Sequence, residues 1–153
     1  MEVDMNQSAN SGIDRTFKAQ IASRGIRAAG YLIDVIPACI LGLFGMIPII
    51  GVIIAGLLLL PYWLLRDITG RSLAKMLLGL EVVKKDGSPA SMGARILRNL
   101  PIAIGPAFLI IPLLGYFIAP IVAVPLMLTE MIMLLTQGYR LGDRLAGTTV
   151  VRR

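Results

Sequence analysis

The sequence predicts an all-α integral membrane protein, with four transmembrane helices arranged as two hairpins and a small cytoplasmic cap of interfacial helix and short strands. Three observations predict it. The chain of 153 residues is 56% hydrophobic and 16% charged, with a mean hydropathy of +0.79, which is too apolar for a soluble globule of this size. Its apolar residues are gathered into runs long enough to cross ~30 Å of hydrocarbon. All fifteen Lys and Arg residues lie outside the two turns that would join the hairpins, so they fall on one side of a four-span protein, and that side is expected to be cytoplasmic.

Taken in order, residues 1–24 form a polar N-terminal segment without the apolar core of a cleavable signal peptide, so the first membrane helix is expected to direct insertion. Within it, Ile13, Phe17 and Ile21 recur at steps of four between Arg15, Lys18 and Arg24. That spacing suits either an amphipathic helix on an anionic surface or a solvated helix with a weak stripe. Residues 25–153 form the membrane domain. The first two spans cover about 25–47 and 49–65, with an uncharged turn near Pro48. The apolar run 99–136 is too long for one helix and divides into spans of about 99–117 and 118–136, broken near Gly115 to Pro120. The cytoplasmic loop is 66–98 and the tail 137–153. In the loop, Leu73, Met76, Leu77 and Leu80 share a helical face with Lys75 away from it, as in an interfacial helix. Residues 80–83 (LEVV) read as a strand and Asp86-Gly87 as a turn, and Ser91 is placed to cap a following helix. A second β-branched run, TTVV at 148–151, is expected to pair with LEVV.

Composition also excludes chemistry. The chain has no histidine, which removes histidine proton relays, zinc–histidine sites and Ser-His-Asp catalysis. A single cysteine, Cys39, allows no internal disulfide and no zinc cluster, and reads as a small buried side chain. There is no Walker or GxGxxG pattern and no basic–aromatic nucleic-acid module. With no nucleophile–base pair in view, an enzyme is not expected.

The candidate sites are therefore ionisable groups in or beside the spans. Asp34 lies two helical turns, ~10 Å, deeper than Arg27, and Glu130 lies ~9 Å inside Thr136 at 1.5 Å per residue. Both carboxylates fall at a similar depth on the first and fourth helices. Two like charges in a low dielectric invite a shared proton or a bound monovalent cation, and a structural role for each is the competing reading. Pro37 frees the carbonyl of Ile33, a hard-cation ligand beside Asp34 or simply a kink. Arg27 reads as a helix anchor or as the ion-pair partner of Asp143, and Asp143 equally as an N-cap for the stretch after it. Lys75, Lys84, Lys85, Arg95 and Arg98 form a basic loop suited to an anionic lipid or a protein partner.

Three segments carry a resemblance: RAAGYLID (27–34), GRSLAKMLLGLEVVKKDG (70–87) with RILR (95–98), and RLGDRLAGTTVV (140–151). Together they are similar to the RDD family of bacterial membrane proteins, named for one arginine and two aspartates. The resemblance implies Arg27 and Asp34 for the first two named positions and Asp143 for the third, with Asp67 the other candidate. Many relatives carry histidine before the last aspartate, where this chain has Gly142. It implies a multi-pass protein of the bacterial inner membrane with both termini cytoplasmic, and a link to transport. The expected function is transport of a small cation coupled to protons, in a homo-oligomer that contacts membrane lipid and no nucleic acid, with no cofactor beyond a bound cation. The alternative is a non-catalytic membrane module that docks a partner or lipid through its basic loop.

Overall fold

The computed structural model describes residues 20–152; the amphipathic stretch expected at 13–24 lies largely outside the described residues. Helix α1 is Arg24–Gly42, capped by the Ser23 hydroxyl, which accepts from the Ile26 amide at 3.4 Å. A short 3-10 turn, Leu43–Met46, extends it. The others are α2 (Ile50–Leu65), α3 (Leu73–Leu77), α4 (Met92–Leu97), α5 (Leu100–Phe108), α6 (Leu114–Gln137) and α7 (Leu141–Ala146). Strands β1 (Leu80–Lys84) and β2 (Thr148–Arg152) pair antiparallel with Val82 opposite Val150, the pairing the β-branched runs predicted. Ser91 caps α4 through the Ala94 amide, also as predicted.

Among the described residues two helices are long and apolar enough to cross a membrane: α1 with its 3-10 extension, Arg24–Met46, and α6, Leu114–Gln137. Only 22% and 17% of their apolar windows are buried inside the protein, so neither is the buried core helix of a soluble fold. On α6 the exposed residues Ile121, Val124, Leu128, Ile132 and Leu135 form one stripe at helical spacing. On α1 the exposed Leu32, Ile36 and Ile40 lie opposite the buried Arg27, Gly30, Tyr31, Asp34 and Ala38. Water would penalise such stripes at about 25 cal/mol per Å² of apolar surface, whereas lipid accepts them. Inside, Tyr31, Ala38, Ala55, Leu59, Trp63, Ile102 and Ala103 form a core between α1, α2 and α5. Cys39, expected to be buried, is exposed.

The third apolar run departs from its predicted division. The break falls at residues 109–113, and α6 runs unbroken through Pro120 and Pro125. Proline is tolerated there because packed neighbours and local adjustment can re-satisfy the freed backbone groups of a membrane helix. The segment before the break is two short helices, α4 and α5, joined by a turn at Arg98 and Asn99. The 16 residues of α2 and the nine of α5 are each shorter than the ~20 that span a bilayer.

The two hairpin turns are copies of each other. Phe44 to Gly51 reads FGMIPIIG, and Phe108 to Gly115 reads FLIIPLLG. In both, the residue before proline donates to the phenylalanine carbonyl, Ile47 at 3.1 Å and Ile111 at 3.0 Å. In both, the residue after proline takes a positive φ, 63° at Ile49 and 61° at Leu113. In both the glycine is required, because a Cβ on Gly51 or Gly115 would collide with that same phenylalanine carbonyl. The register that lays Phe44 on Phe108 also lays Asp34 on Arg98 and Arg66 on Glu130, charged positions of opposite sign.

Lys75 lies away from the apolar face of α3, as expected, but Leu80, expected on that face, is buried at the start of β1. Helix α3 turns Leu73, Met76 and Leu77 outward, while Lys75 points in and is buried. The lysine is drawn inward by carboxylates described below.

Candidate functional site

Nine ionisable side chains converge at the end of the bundle where α1 begins and α2 and α6 finish. Arg27 and Asp34 come from α1, Arg66 caps α2, Asp67 follows it, and Lys75 lies on α3. Arg98 sits in the turn between α4 and α5, Glu130 on α6, Arg140 just before α7, and Asp143 within it. All nine side chains are buried, with Asp67, Arg98 and Glu130 at 0% exposure. Charges buried this deeply are tolerated only when paired and hydrogen-bonded.

The pairing has two lobes. In the first, the Lys75 Nζ donates to Asp67 at 2.7 Å and stands 3.7 Å from Asp34. Asp34 accepts from the Ser72 hydroxyl at 2.7 Å and the Ala74 amide at 3.3 Å, with the Arg66 guanidinium 3.5 Å away. The Tyr62 hydroxyl donates to the Asp34 carbonyl at 2.6 Å, and the Asn99 amide donates to Asp67. Arg66 stacks over Trp63 at 4.6 Å, which holds its planar head in place. In the second lobe, Asp143 binds Arg27 at 2.5 Å and Arg98 at 2.6 Å, with Arg140 at 3.7 Å. Glu130 accepts from the Gly142 amide at 2.9 Å and faces Arg140 at 3.7 Å. Arg98 joins the lobes, reaching Asp67 at 3.8 Å.

Burial and charge pull against each other here. Burial alone would raise Asp67, but Lys75, then Arg98 and Arg66, outweigh it and hold its carboxyl far below the usual range. Burial would likewise raise Asp143, and Arg98, Arg140 and Arg27 bring it down to about 2. Lys75 is lowered by burial to about 8, in spite of Asp67, with Arg66, Arg98 and Arg140 adding repulsion.

Several sequence expectations need correction on this geometry. Asp34 and Glu130 do not face each other directly: Asp34 pairs with Arg66 and Lys75, and Glu130 faces Arg140. They belong to different lobes: Asp34 accepts from Ser72 and Ala74, while Glu130 accepts from Gly142 through one oxygen and leaves the other without a hydrogen-bond donor, 3.7 Å from Arg140. Pro37 is inside α1 as expected, and Ile33 is half-buried there. Among the described residues no three acids come together as a metal-ligand set. Asp143 is not an N-cap: it is the third residue of α7, and its carboxylate reaches back to the Arg140 amide at 3.3 Å. The ion pair of Arg27 with Asp143 is formed. Of the basic loop, Lys75 and Arg98 are buried in the network and unavailable to lipid or a partner. Arg95 donates to the Ile68 carbonyl at 2.9 Å, and Lys84 and Lys85 are exposed.

Sequence reasoning missed Arg66, Arg140, Ser72, Asn99 and Tyr62 as parts of the site. The signal was available for the two arginines: each stands within one or two turns of the end of an apolar run, close to where a carboxylate inside such a run needs a partner. Gly142 was noted but not explained. A Cβ at that position would run into the Arg98 carbonyl oxygen, so α7 packs backbone to backbone on the α4–α5 turn.

Neither the curated proteins nor the solved structures contain a match to this chain. The family model for the RDD family does match, over residues 21–147, a stretch that includes the apolar helices and all nine network side chains. With two exposed apolar helices of membrane length and that match over most of its length, the chain is a mostly helical membrane protein that belongs to the RDD family.

Proposed function

We propose that this protein moves a small cation across the membrane in exchange with protons, with the buried ion-pair network acting as its cytoplasmic gate. The observation that carries this reading is the burial of nine ionisable groups in one connected network at the ends of membrane helices. Buried ion pairs contribute little net stability against apolar replacements, so a network this large points to use rather than to glue. Its pairs bind α1, α2, α6 and the cap to one another. Moving a proton onto a carboxylate or off Lys75 would release one of those ties and let the helices part.

The topology that goes with this reading is four spans in the bacterial inner membrane, with both termini cytoplasmic. The α4–α5 segment, residues 92–108, serves as the third span. Support comes from the duplicated hairpin turns and from the gathering of every Lys and Arg outside them. Between the helices beyond the network lies an apolar cavity of about 310 Å³, lined by Val35, Ala38, Leu59, Trp63 and Ala123 among others. It offers a hydrated ion no polar partner, so transport calls for a homo-oligomer or a second conformation. Of the glycines on α1 and α2, Gly56 packs on Leu109 and Ile110 of its own chain, while Gly42 faces open space where another copy could approach.

Reconstitution into liposomes with an internal pH-sensitive dye, under imposed Na⁺, K⁺ or Li⁺ gradients, tests the reading. One of the three should drive a proton signal. A flat response to all three would shift the reading to the second one, a non-catalytic docking module. That alternative rests on the cytoplasmic loop, where Lys84 and Lys85 are exposed, as are Leu73, Met76 and Leu77. It predicts binding to anionic lipid headgroups that falls with salt and with Lys84→Gln/Lys85→Gln.

A further inference from the structure

We propose that the small cavity inside the ion-pair network is a binding site for one monovalent anion of halide size. The inference does not depend on whether the protein transports a cation. It rests on three observations that agree.

The first is charge. The network holds five cations, Arg27, Arg66, Lys75, Arg98 and Arg140, against four carboxylates, Asp34, Asp67, Glu130 and Asp143. One positive charge is left over in a place where an unbalanced charge is costly. A single monovalent anion cancels it.

The second is space. A cavity of about 20 Å³ lies within the network, lined by Arg27, Tyr31, Asp34, Lys75, Arg98 and Arg140 with Gly30, Leu80, Leu134 and Val150. Roughly 10–15 Å³ is enough to seat one water, so the cavity takes one small occupant and excludes a polyatomic organic ion. Four of its ionisable walls are cations and one is an acid. That acid, Asp34, already turns its oxygens to Ser72 and Ala74.

The third is unused donors. The Nε and both terminal nitrogens of fully buried Arg98 have no hydrogen-bond acceptor, although Nε stands 3.8 Å from Asp67 and one terminal nitrogen ion-pairs with Asp143. One terminal nitrogen of Arg140 and the hydroxyl of Tyr31, 6% exposed, are likewise without an acceptor. The Tyr31 ring is flanked by the Arg66 and Arg140 guanidinium groups at 5.7 and 5.9 Å. An anion in this cavity would have these N–H and O–H donors around it, and the two network acceptors that also lack a hydrogen bond, one oxygen each of Glu130 and Asp143, stand 3.7 and 2.6 Å from Arg140 and Arg98.

The test is thermal unfolding of the full chain in lipid nanodiscs at neutral pH and constant ionic strength, with sodium gluconate replaced stepwise by sodium chloride or bromide. A saturable rise in Tm is expected with each halide. Tyr31→Phe removes one donor and keeps the ring, and should raise the half-saturating chloride concentration about tenfold, as loss of one hydrogen bond to a charge implies. Lys84→Gln/Lys85→Gln should leave the halide response unchanged. The proposal is overturned if halide and gluconate behave alike, as they would with a water in the cavity or with Lys75 giving up its proton. It is overturned equally if the response never saturates, or if it disappears with Lys84 and Lys85. Should Tyr31→Phe fail to fold, a bromide soak of wild-type crystals decides: an anomalous peak among Tyr31, Arg98 and Arg140 is expected, and none there refutes the site.

Discussion

Replacing Asp143 by asparagine tests how much the network depends on its most heavily paired carboxylate. Asparagine keeps the size of the side chain, so packing is almost unchanged and charge is the variable. In the folded protein Asp143 is buried, binds Arg27 at 2.5 Å and Arg98 at 2.6 Å, and stands 3.7 Å from Arg140. Removing one partner of a buried pair leaves the others uncompensated and costs about 3–5 kcal/mol. For a chain of this size 1 kcal/mol moves Tm by roughly 2–4 °C, so a fall of roughly 6–20 °C is expected. The assay is thermal unfolding in detergent, followed by tryptophan fluorescence from Trp63 in the core. Asp86→Asn is the control, since Asp86 sits on an exposed turn beside Ser88 and should change Tm little. If Asp143→Asn lowers Tm no more than Asp86→Asn does, the carboxylate is not paired as described and the network account fails.

Gly142→Ala should destabilise by about 1–3 kcal/mol through overpacking against the Arg98 carbonyl, while Gly93→Ala, which meets open space on α4, should be neutral or mildly stabilising; equal Tm values for the two would refute the close approach. Because Asp143 is lowered to about 2, its stabilisation is present above about pH 4 and is lost as pH falls toward about 2, while that of Asp67, held lower still, persists further into acid; an acid titration of Tm that stays flat from about pH 4 to about pH 2 would contradict the pairing of Asp143. For topology, single cysteines at Gly51 and Lys85, in a background with Cys39 replaced, should label from opposite sides of the membrane, and labelling of both from the cytoplasm would break the four-span proposal.

The parts of the fold that depend on local pattern were legible. Residues 25–47 and 49–65 read as helices because their apolar runs end at polar or turn residues, and α1 and α2 fall close to those limits. The pairing of LEVV with TTVV was visible because two β-branched runs had no other partner. The 99–136 run was misdivided because proline and glycine mark both turns and tolerated kinks in membrane helices, and only the hydrogen bonding separates Pro112 from Pro120. The site was half legible. Arg27, Asp34 and Asp143 were found, and the pair of Arg27 with Asp143 was named as one reading. Depth along a helix placed Asp34 and Glu130 level with each other, but depth says nothing of rotation about the axis. That rotation sends one toward Lys75 and the other toward Arg140. Lys75 was misread for a related reason: its apolar neighbours defined a face, and the face turned out to be the outer one.

The gate reading meets its most direct test in the pH dependence of flux. Lys75 is lowered by burial to about 8 while it ties Asp67 and Asp34 together, so it can change protonation within the working range of a transporter. Arginine at that position keeps the charge and does not release it. Proton flux in liposomes under the active cation gradient should therefore show an inflection near pH 8 in the wild type. In Lys75→Arg that inflection should vanish, leaving flux low and flat. Superimposable pH profiles for the two proteins would contradict the network's role as a proton-operated gate.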